Sequence, residues 1–172
     1  MPKIIQNVRE HLLCEAKRQI KERGYAKTTI RSVAGACGLG VGTVYNYFSS
    51  KDMLIASFML EDWMVALDEM KTASKSDPCE LLRVIHVSIL NFINIHSDLF
   101  ADDEAVRSFN SVHSDYHAVL RSQIALIIVP ALDEATDNIS FKGEFIAESL
   151  LTWTVAGKSF EEIYSVLKSI IK

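Results

Sequence analysis

The sequence predicts an all-α protein of about nine helices, a three-helix head followed by a larger helical body, and three observations predict it. Apolar residues recur at spacings of three and four along most of the 172 residues. Helix caps and breakers, chiefly Gly24, Gly38, Pro130 and Gly157, punctuate those runs. No stretch carries the alternation of a half-buried strand, and there is no internal repeat or low-complexity tract.

Each element has its own signal. Ile5, Val8, Leu12, Ala16 and Ile20 form the buried stripe of a first helix, and Gly24 stands where a left-handed terminating residue belongs. Thr28 and Thr29 are both candidate N-caps for a short second helix holding Ile30, Val33 and Ala34. Gly38 breaks it, and a third helix is expected from about Val41 to Tyr47. Ser50 can cap a fourth, from Lys51 to about Lys71, with Leu54, Phe58, Leu60, Met64 and Leu67 inside.

Residues 72–77 read as a loop. Asp77, Pro78 and Glu80 then give cap, first-turn proline and acid, and the helix they open runs to about His96. A shorter helix is expected over about 99–109, with Asp102-Asp103-Glu104 suited to a helix start. Another begins near Val112, holds Tyr116, Val119, Leu120, Ile124 and Ile127, and meets its end or a kink at Pro130. Asp137 to Ser140 reads as a turn. Phe145, Ile146, Leu150 and Trp153 mark the eighth helix, which Gly157 stops. Ser159 and Glu162 form a capping box for the last, with Ile163, Val166, Leu167 and Ile170 inward.

Composition narrows the class. Hydrophobic residues make up 49% and charged residues 23%, enough to build a soluble core. The uncharged apolar run Ser122 to Leu132 is too short to span a bilayer, and the N-terminus lacks a secretory pattern, so the cytoplasm is expected and no membrane contact. Cys14, Cys37 and Cys79 are odd in number and widely spaced, which points to buried thiols and not to disulfides or a metal site. The net charge of −4 is unevenly distributed. Residues 1–51 hold nine Lys or Arg against three Glu, a net of +6, and residues 52–172 hold nine against nineteen acids, a net of −10. A basic first segment on an acidic body suggests a local contact with a polyanion.

The stretch from Ile30 to Leu54 carries the function. A helix-turn-helix needs a small residue between its helices, a turn tolerant of positive φ, and a second helix free to enter the major groove. Ala34 is the small residue, Gly38 the turn, and Val33, Cys37, Leu39 and Val44 the apolar pins; Val41, Gly42, Thr43, Asn46 and Tyr47 fall on the exposed face of the second helix. The segments Gly24-Tyr25, Thr28-Thr29, Val33-Ala34, Gly38-Leu39, Gly42-Thr43-Val44-Tyr45, Tyr47-Phe48 and Lys51-Asp52-Met53-Leu54 together resemble the N-terminal signature of the tetracycline-repressor (TetR) family. The likeness is detailed over about residues 5–55; beyond that only helical pattern and length agree.

The resemblance implies a sequence-specific transcriptional regulator, a repressor released from a near-palindromic operator by a small-molecule effector: a helix-turn-helix DNA-binding domain at 1–51 and a helical effector-binding and dimerisation domain at 52–172. It implies that Thr29 meets a phosphate from a helix N-terminus, that Tyr45 and Tyr47 contact phosphate or sugar, and that Lys51 pairs with the DNA backbone. Thr43 is implied to reach a base edge or thymine methyl, Asn46 an adenine, and Arg31 a phosphate or base. Two departures stand out. Gly40, where relatives often carry Ser or Thr, weakens the cap of the reading helix, and Val41 is apolar at a position often polar in relatives, leaving it a thymine methyl to touch. In the body, Phe58, Met59, Trp63, Phe92, Phe109 and Tyr116 are the residues expected to line an effector cavity for a small apolar or amphipathic molecule. Ile146, Leu150, Trp153, Ile163, Val166, Leu167 and Ile170 are expected to form the homodimer interface, a four-helix bundle about a two-fold axis.

Other chemistry has less support. Gly35, Gly38, Gly40 and Gly42 follow a helical pattern, not the strand a phosphate loop requires. His113 and His117 stand one turn apart, but sequence fixes no third ligand, so no metal is expected. No catalytic constellation stands out, and neither an enzyme activity nor a cofactor is expected. The partners expected are double-stranded operator DNA, a small-molecule effector and a second copy of the chain; the alternatives are a helical DNA-binding protein without an effector and, behind it, a helical enzyme.

Overall fold

The computed structural model describes residues 7–112, 116–133 and 138–171, and of residues 109–112 the backbone alone. Its described residues form ten α-helices and no strand: α1 (Val8–Arg23), α2 (Ile30–Ala36), α3 (Val41–Tyr45), α4 (Lys51–Lys71), α5 (Pro78–Ile95), α6 (Ser97–Phe100), α7 (Asp103–Val112), α8 (Tyr116–Ile128), α9 (Ile139–Val155) and α10 (Phe160–Leu167), with a 3₁₀ turn at Val129–Ala131.

Most boundaries sit where the caps place them. Gly24, Gly38 and Gly157 take φ of +78°, +68° and +78°, conformations that an L side chain resists. Asp77 Oδ1 accepts from the N–H groups of Cys79 and Glu80 at 3.0 and 3.1 Å and starts α5. Ser159 and Glu162 close the capping box of α10. Pro130 lies in the 3₁₀ turn that ends α8. The single helix expected over 99–109 is instead two, because Asp102 Oδ1 caps the N–H groups of Glu104 and Ala105 at 2.9 and 3.0 Å and starts α7 afresh. Ser140, expected in a turn, lies in the first turn of α9; residues 134–137 and 113–115 lie outside the described residues.

The chain gathers into two compact units: Met1–Asp62 with His96–His113, and Trp63–Ile95 with Ser114–Lys172. In the first, Leu12, Ala16, Val33, Ala34, Val44, Ile55 and Phe58 are among the residues of one buried cluster. In the second, α8 and α9 pack along each other, and Ile85, Ile89, Ile124, Ile146 and Leu150 lie in its core. Helix α5 is long and apolar enough to cross a bilayer by length and composition, and Leu81, Leu82, Ile85 and Ile89 on it belong to that core.

Some apolar residues expected inside face outward. Leu60 and Met64 of α4 and Val166 of α10 are exposed, since one helix buries one stripe and Trp63, Leu67 and Ile163 already occupy it. The cysteines also depart from expectation: Cys14 is exposed, because Leu12 and Leu13 take the inner side of α1, and Cys37 and Cys79 are half-buried.

Candidate nucleic-acid interface

The reading head is built on a buried seam between α2 and α3. Val33, Ala34 and Val44 are fully buried, Ile30 and Phe48 nearly so, and Cys37, Leu39 and Val41 pack against them. The turn is held by the N–H of Leu39, which donates to Ala34 O at 2.8 Å across Gly38. Because Ala34 has only a methyl group, the backbones approach closely at that point. Gly40 offers α3 no side-chain cap, as expected; its carbonyl accepts from the N–H of Thr43 at 2.9 Å.

The outer face of this seam is open. Gly42, Tyr45, Asn46 and Tyr47 are exposed, the two tyrosines by 53% and 49%, and Thr43 is half-exposed. Both tyrosines stand on the same side of the motif as Asn46 and Gly42, with their rings open to solvent. Val41 leans on the core and offers only part of its side chain outward.

Of the two candidate caps for α2, Thr29 is the one used. Its Oγ1 accepts from the N–H of Ser32 at 3.0 Å, and its own N–H donates to Ser32 Oγ at 3.0 Å. The backbone N–H of Thr29 therefore already has a partner, and its side chain is exposed. Thr28 is buried and donates to Gly24 O at 2.9 Å.

The charges divide. Arg9 pairs with Glu61, Lys17 with Asp62 at 2.6 Å, and Arg18 with Glu15 and Glu22, so much of the positive charge on α1 is balanced inside the first unit. Lys51 does not project freely. Its Nζ donates to Tyr25 O at 3.1 Å and lies 3.4 Å from the centre of the Tyr25 ring, and burial pulls its pKa down. The Tyr25 hydroxyl donates to Asp52 Oδ1 at 2.5 Å, and Ser108 donates to Asp52 Oδ2 at 2.7 Å. Lys27 and Arg31 are exposed and enter no ion pair among the described residues. Lys27 was missed as a candidate; its signal is a lysine between two turn residues and the capping threonines, just before the reading pair.

The residues expected to line an effector cavity fall in different places. Phe58 is buried in the first unit, its ring 5.8 Å from that of His96, and Met59 packs against the same cluster. Trp63 and Phe92 meet edge-on at 5.3 Å in the second unit, and Trp63 Nε1 donates to Gln123 Oε1 at 2.8 Å. Tyr116 is exposed, and the side chain of Phe109 lies outside the described residues. No group of three metal-ligating side chains occurs among the described residues; His117 is one of them and His113 is not.

Of the residues expected at a dimer interface, Ile146, Leu150, Ile163 and Leu167 are buried within the second unit of this one chain, and Ile170 packs beside them. Trp153 and Val166 are 50% and 65% exposed. With Phe145 they line an open groove of about 330 Å³ on α9 and α10.

These features define a helix-turn-helix protein with an all-helical body. Residues 12–58 match the model of the bacterial regulatory proteins of the tetR family. That match spans 47 of the 172 residues, from α1 into α4. It is 36% identical over 90 residues to the HTH-type transcriptional regulator BetI of Burkholderia ambifaria, a match covering 49% of this chain and 46% of that protein, so it aligns with less than half of the relative's length. It is 26% identical over 144 residues to the HTH-type transcriptional repressor KstR2 of Mycobacterium tuberculosis, covering 80% of this chain and 71% of that one. In fold it is similar to a transcriptional regulator from Rhodococcus sp. Rha1, with a TM-score of 0.60, 14% identity, and coverage of 96% and 94%.

Proposed function

We propose that this chain is a homodimeric, sequence-specific DNA-binding regulator of transcription, a repressor released from a near-palindromic operator by a small molecule. The observation that carries the reading is the open face of α3 and the turn after it, with Gly42, Tyr45, Asn46 and Tyr47 exposed on a buried helix-turn-helix seam. A B-DNA major groove, about 12 Å wide, admits such a helix. Thr43 and Asn46 read base edges and Val41 adds a narrow apolar contact; Tyr45, Tyr47 and the Thr29 hydroxyl meet the backbone, with Arg31 and Lys27 supplying free charge. Lys51 serves by holding Tyr25 in place beside the motif.

Two heads must enter successive major grooves, about 34 Å apart, which requires a dimer. The exposed strip of Phe145, Trp153 and Val166 on α9 and α10 supports a second copy at that face. A stable interface of this kind buries more than roughly 2,000 Å² in total. The role is regulatory, not catalytic, and its setting is the cytoplasm. A second reading, DNA binding without an effector, is favoured by the burial of Phe58 and Trp63 in the cores.

Fluorescence anisotropy of a labelled duplex across about 50–200 mM potassium chloride tests the reading. Affinity should fall linearly on a log–log scale as phosphate contacts release counterions. Absence of binding at the lowest salt would refute it. A thermal-shift screen of apolar and amphipathic small molecules separates the two readings: a stabilising compound that also lowers DNA affinity supports the effector.

A further inference from the structure

We infer that Gln19 is a positioning residue for DNA binding: its side-chain amide ties α1 to the first turn of α2 and so sets the angle at which the α2–α3 pair meets the duplex. The inference rests on the DNA-binding reading above. Gln19 is only 1% exposed, on the face of α1 that otherwise buries Leu12, Ala16 and Ile20. An amide placed there without partners is costly, so its hydrogen bonds explain its presence.

Those bonds form one directed chain. The N–H of Thr29 donates to Ser32 Oγ at 3.0 Å. The Ser32 hydroxyl has one proton and lies 2.6 Å from Gln19 Oε1 and 2.9 Å from Thr29 O; the shorter contact receives it. Gln19 Nε2 donates to Ser32 O at 3.2 Å and to Glu15 Oε1 at 2.7 Å. Glu15 in turn accepts both Nε and Nη2 of Arg18, at 2.8 and 2.6 Å. Three contacts from one amide therefore join a fixed point on α1 to both the backbone and the side chain of Ser32.

Direction is what these bonds add. Ile30, Val33 and Ala34 already hold α2 against α1 by apolar burial, which is indifferent to small rotations. Hydrogen bonds weaken steeply when misaligned, so the Gln19–Ser32 pair fixes the rotation of α2 about its axis. Thr29 and Arg31 lie on that first turn and face solvent, and α3 follows α2 through the Leu39–Ala34 bond. An error in α2 becomes an error in the reading helix.

The test uses the full-length protein and two probes: a duplex enriched by the wild type from a randomised library, and a scrambled duplex of the same composition. Gln19→Met keeps the volume and removes the bonds. It should retain native helicity, bind the enriched duplex about tenfold more weakly and the scrambled one unchanged, with the same salt slope. Ser32→Ala breaks the same chain at a half-exposed site and should shrink the enriched-to-scrambled ratio as far; the double variant should lose no more than either alone. Additive losses, or a wild-type ratio in Ser32→Ala or in folded Gln19→Met, would overturn the inference. If Gln19→Met does not fold, Ser32→Ala alone decides. A wild type that enriches no sequence would instead remove the DNA reading, and this inference with it.

Discussion

Lys51 and Lys27 differ in what holds them. Lys51 is bound to the Tyr25 carbonyl and ring, whereas Lys27 stands free before α2. Replacing Lys27 or Arg31 by Ala should reduce the salt slope by about 0.9 each and weaken all duplexes alike. Lys51→Ala should lower the melting temperature and the affinity with little change in slope, since it loosens the Tyr25 loop and removes no free cation. Titration of each variant over salt distinguishes them; a slope change in Lys51→Ala equal to that of Lys27→Ala would return Lys51 to the phosphate. His96 gives a pH prediction. Burial pulls its pKa below the ordinary 6.5, opposed by Asp62 Oδ2 at 3.0 Å. The unfolded chain then binds the proton more readily, so stability is full above about 6.5 and declines as pH falls below it. His96→Phe, which keeps a ring beside Phe58, should flatten that decline in denaturation midpoints measured across pH; an unchanged decline would assign it to other groups. The motif residues were legible in the sequence because caps, turns and pins act within a few positions. The partner of Lys51 was not, since Tyr25 lies 26 residues away, and neither was the burial of Gln19, whose polarity hides it in an apolar stripe.

Helix ends were more legible than helix faces. Asp77, Ser159 and Gly157 act locally and mark their termini correctly. The division of α6 from α7 was readable in Asp102-Asp103-Glu104 but yielded to an apolar periodicity that runs on through it. Which apolar residues lie inside depends on the neighbouring helices, and the outward Leu60, Met64 and Val166 show where periodicity alone overreaches. At Gly143, helix α9 comes very close to the end of α8 and the 3₁₀ turn. A Cβ on Gly143 would lie 2.5 Å from Val129 Cγ2 and 3.6 Å from Ala125 O. Valine is stiff about χ1 and has little room to yield. Gly143→Ala should therefore destabilise the fold by about 1–3 kcal/mol in urea despite the better helix propensity of alanine. Adding Val129→Ala should restore part of the loss. A Gly143→Ala variant as stable as the wild type would mean that α8 and α9 tolerate a wider separation.

For the molecule as a whole, the fold class and the N-terminal motif were accessible from the sequence, and which apolar residues of α9 and α10 lie inside was only partly so. The seven residues expected between copies mix buried and exposed positions, because apolar periodicity alone does not tell which of them the chain's own core covers. Leu150 is fully buried in its own chain and Val166 is 65% exposed, so the two should respond differently. Leu150→Glu places an unpaired charge in the core and should unfold the protein by circular dichroism. Val166→Glu should keep native helicity and sediment as a monomer that no longer binds DNA; a folded dimer would exclude the Val166 face from the interface. The central claim, that two α3 helices of a dimer read two related half-sites, is tested most directly by sequencing duplexes enriched by the wild-type protein from a random library. The enriched duplexes should carry an inverted repeat whose half-sites lie about one helical turn apart, near 10 base pairs, or somewhat more. A single unrepeated motif, or no enrichment above the starting library, would contradict it.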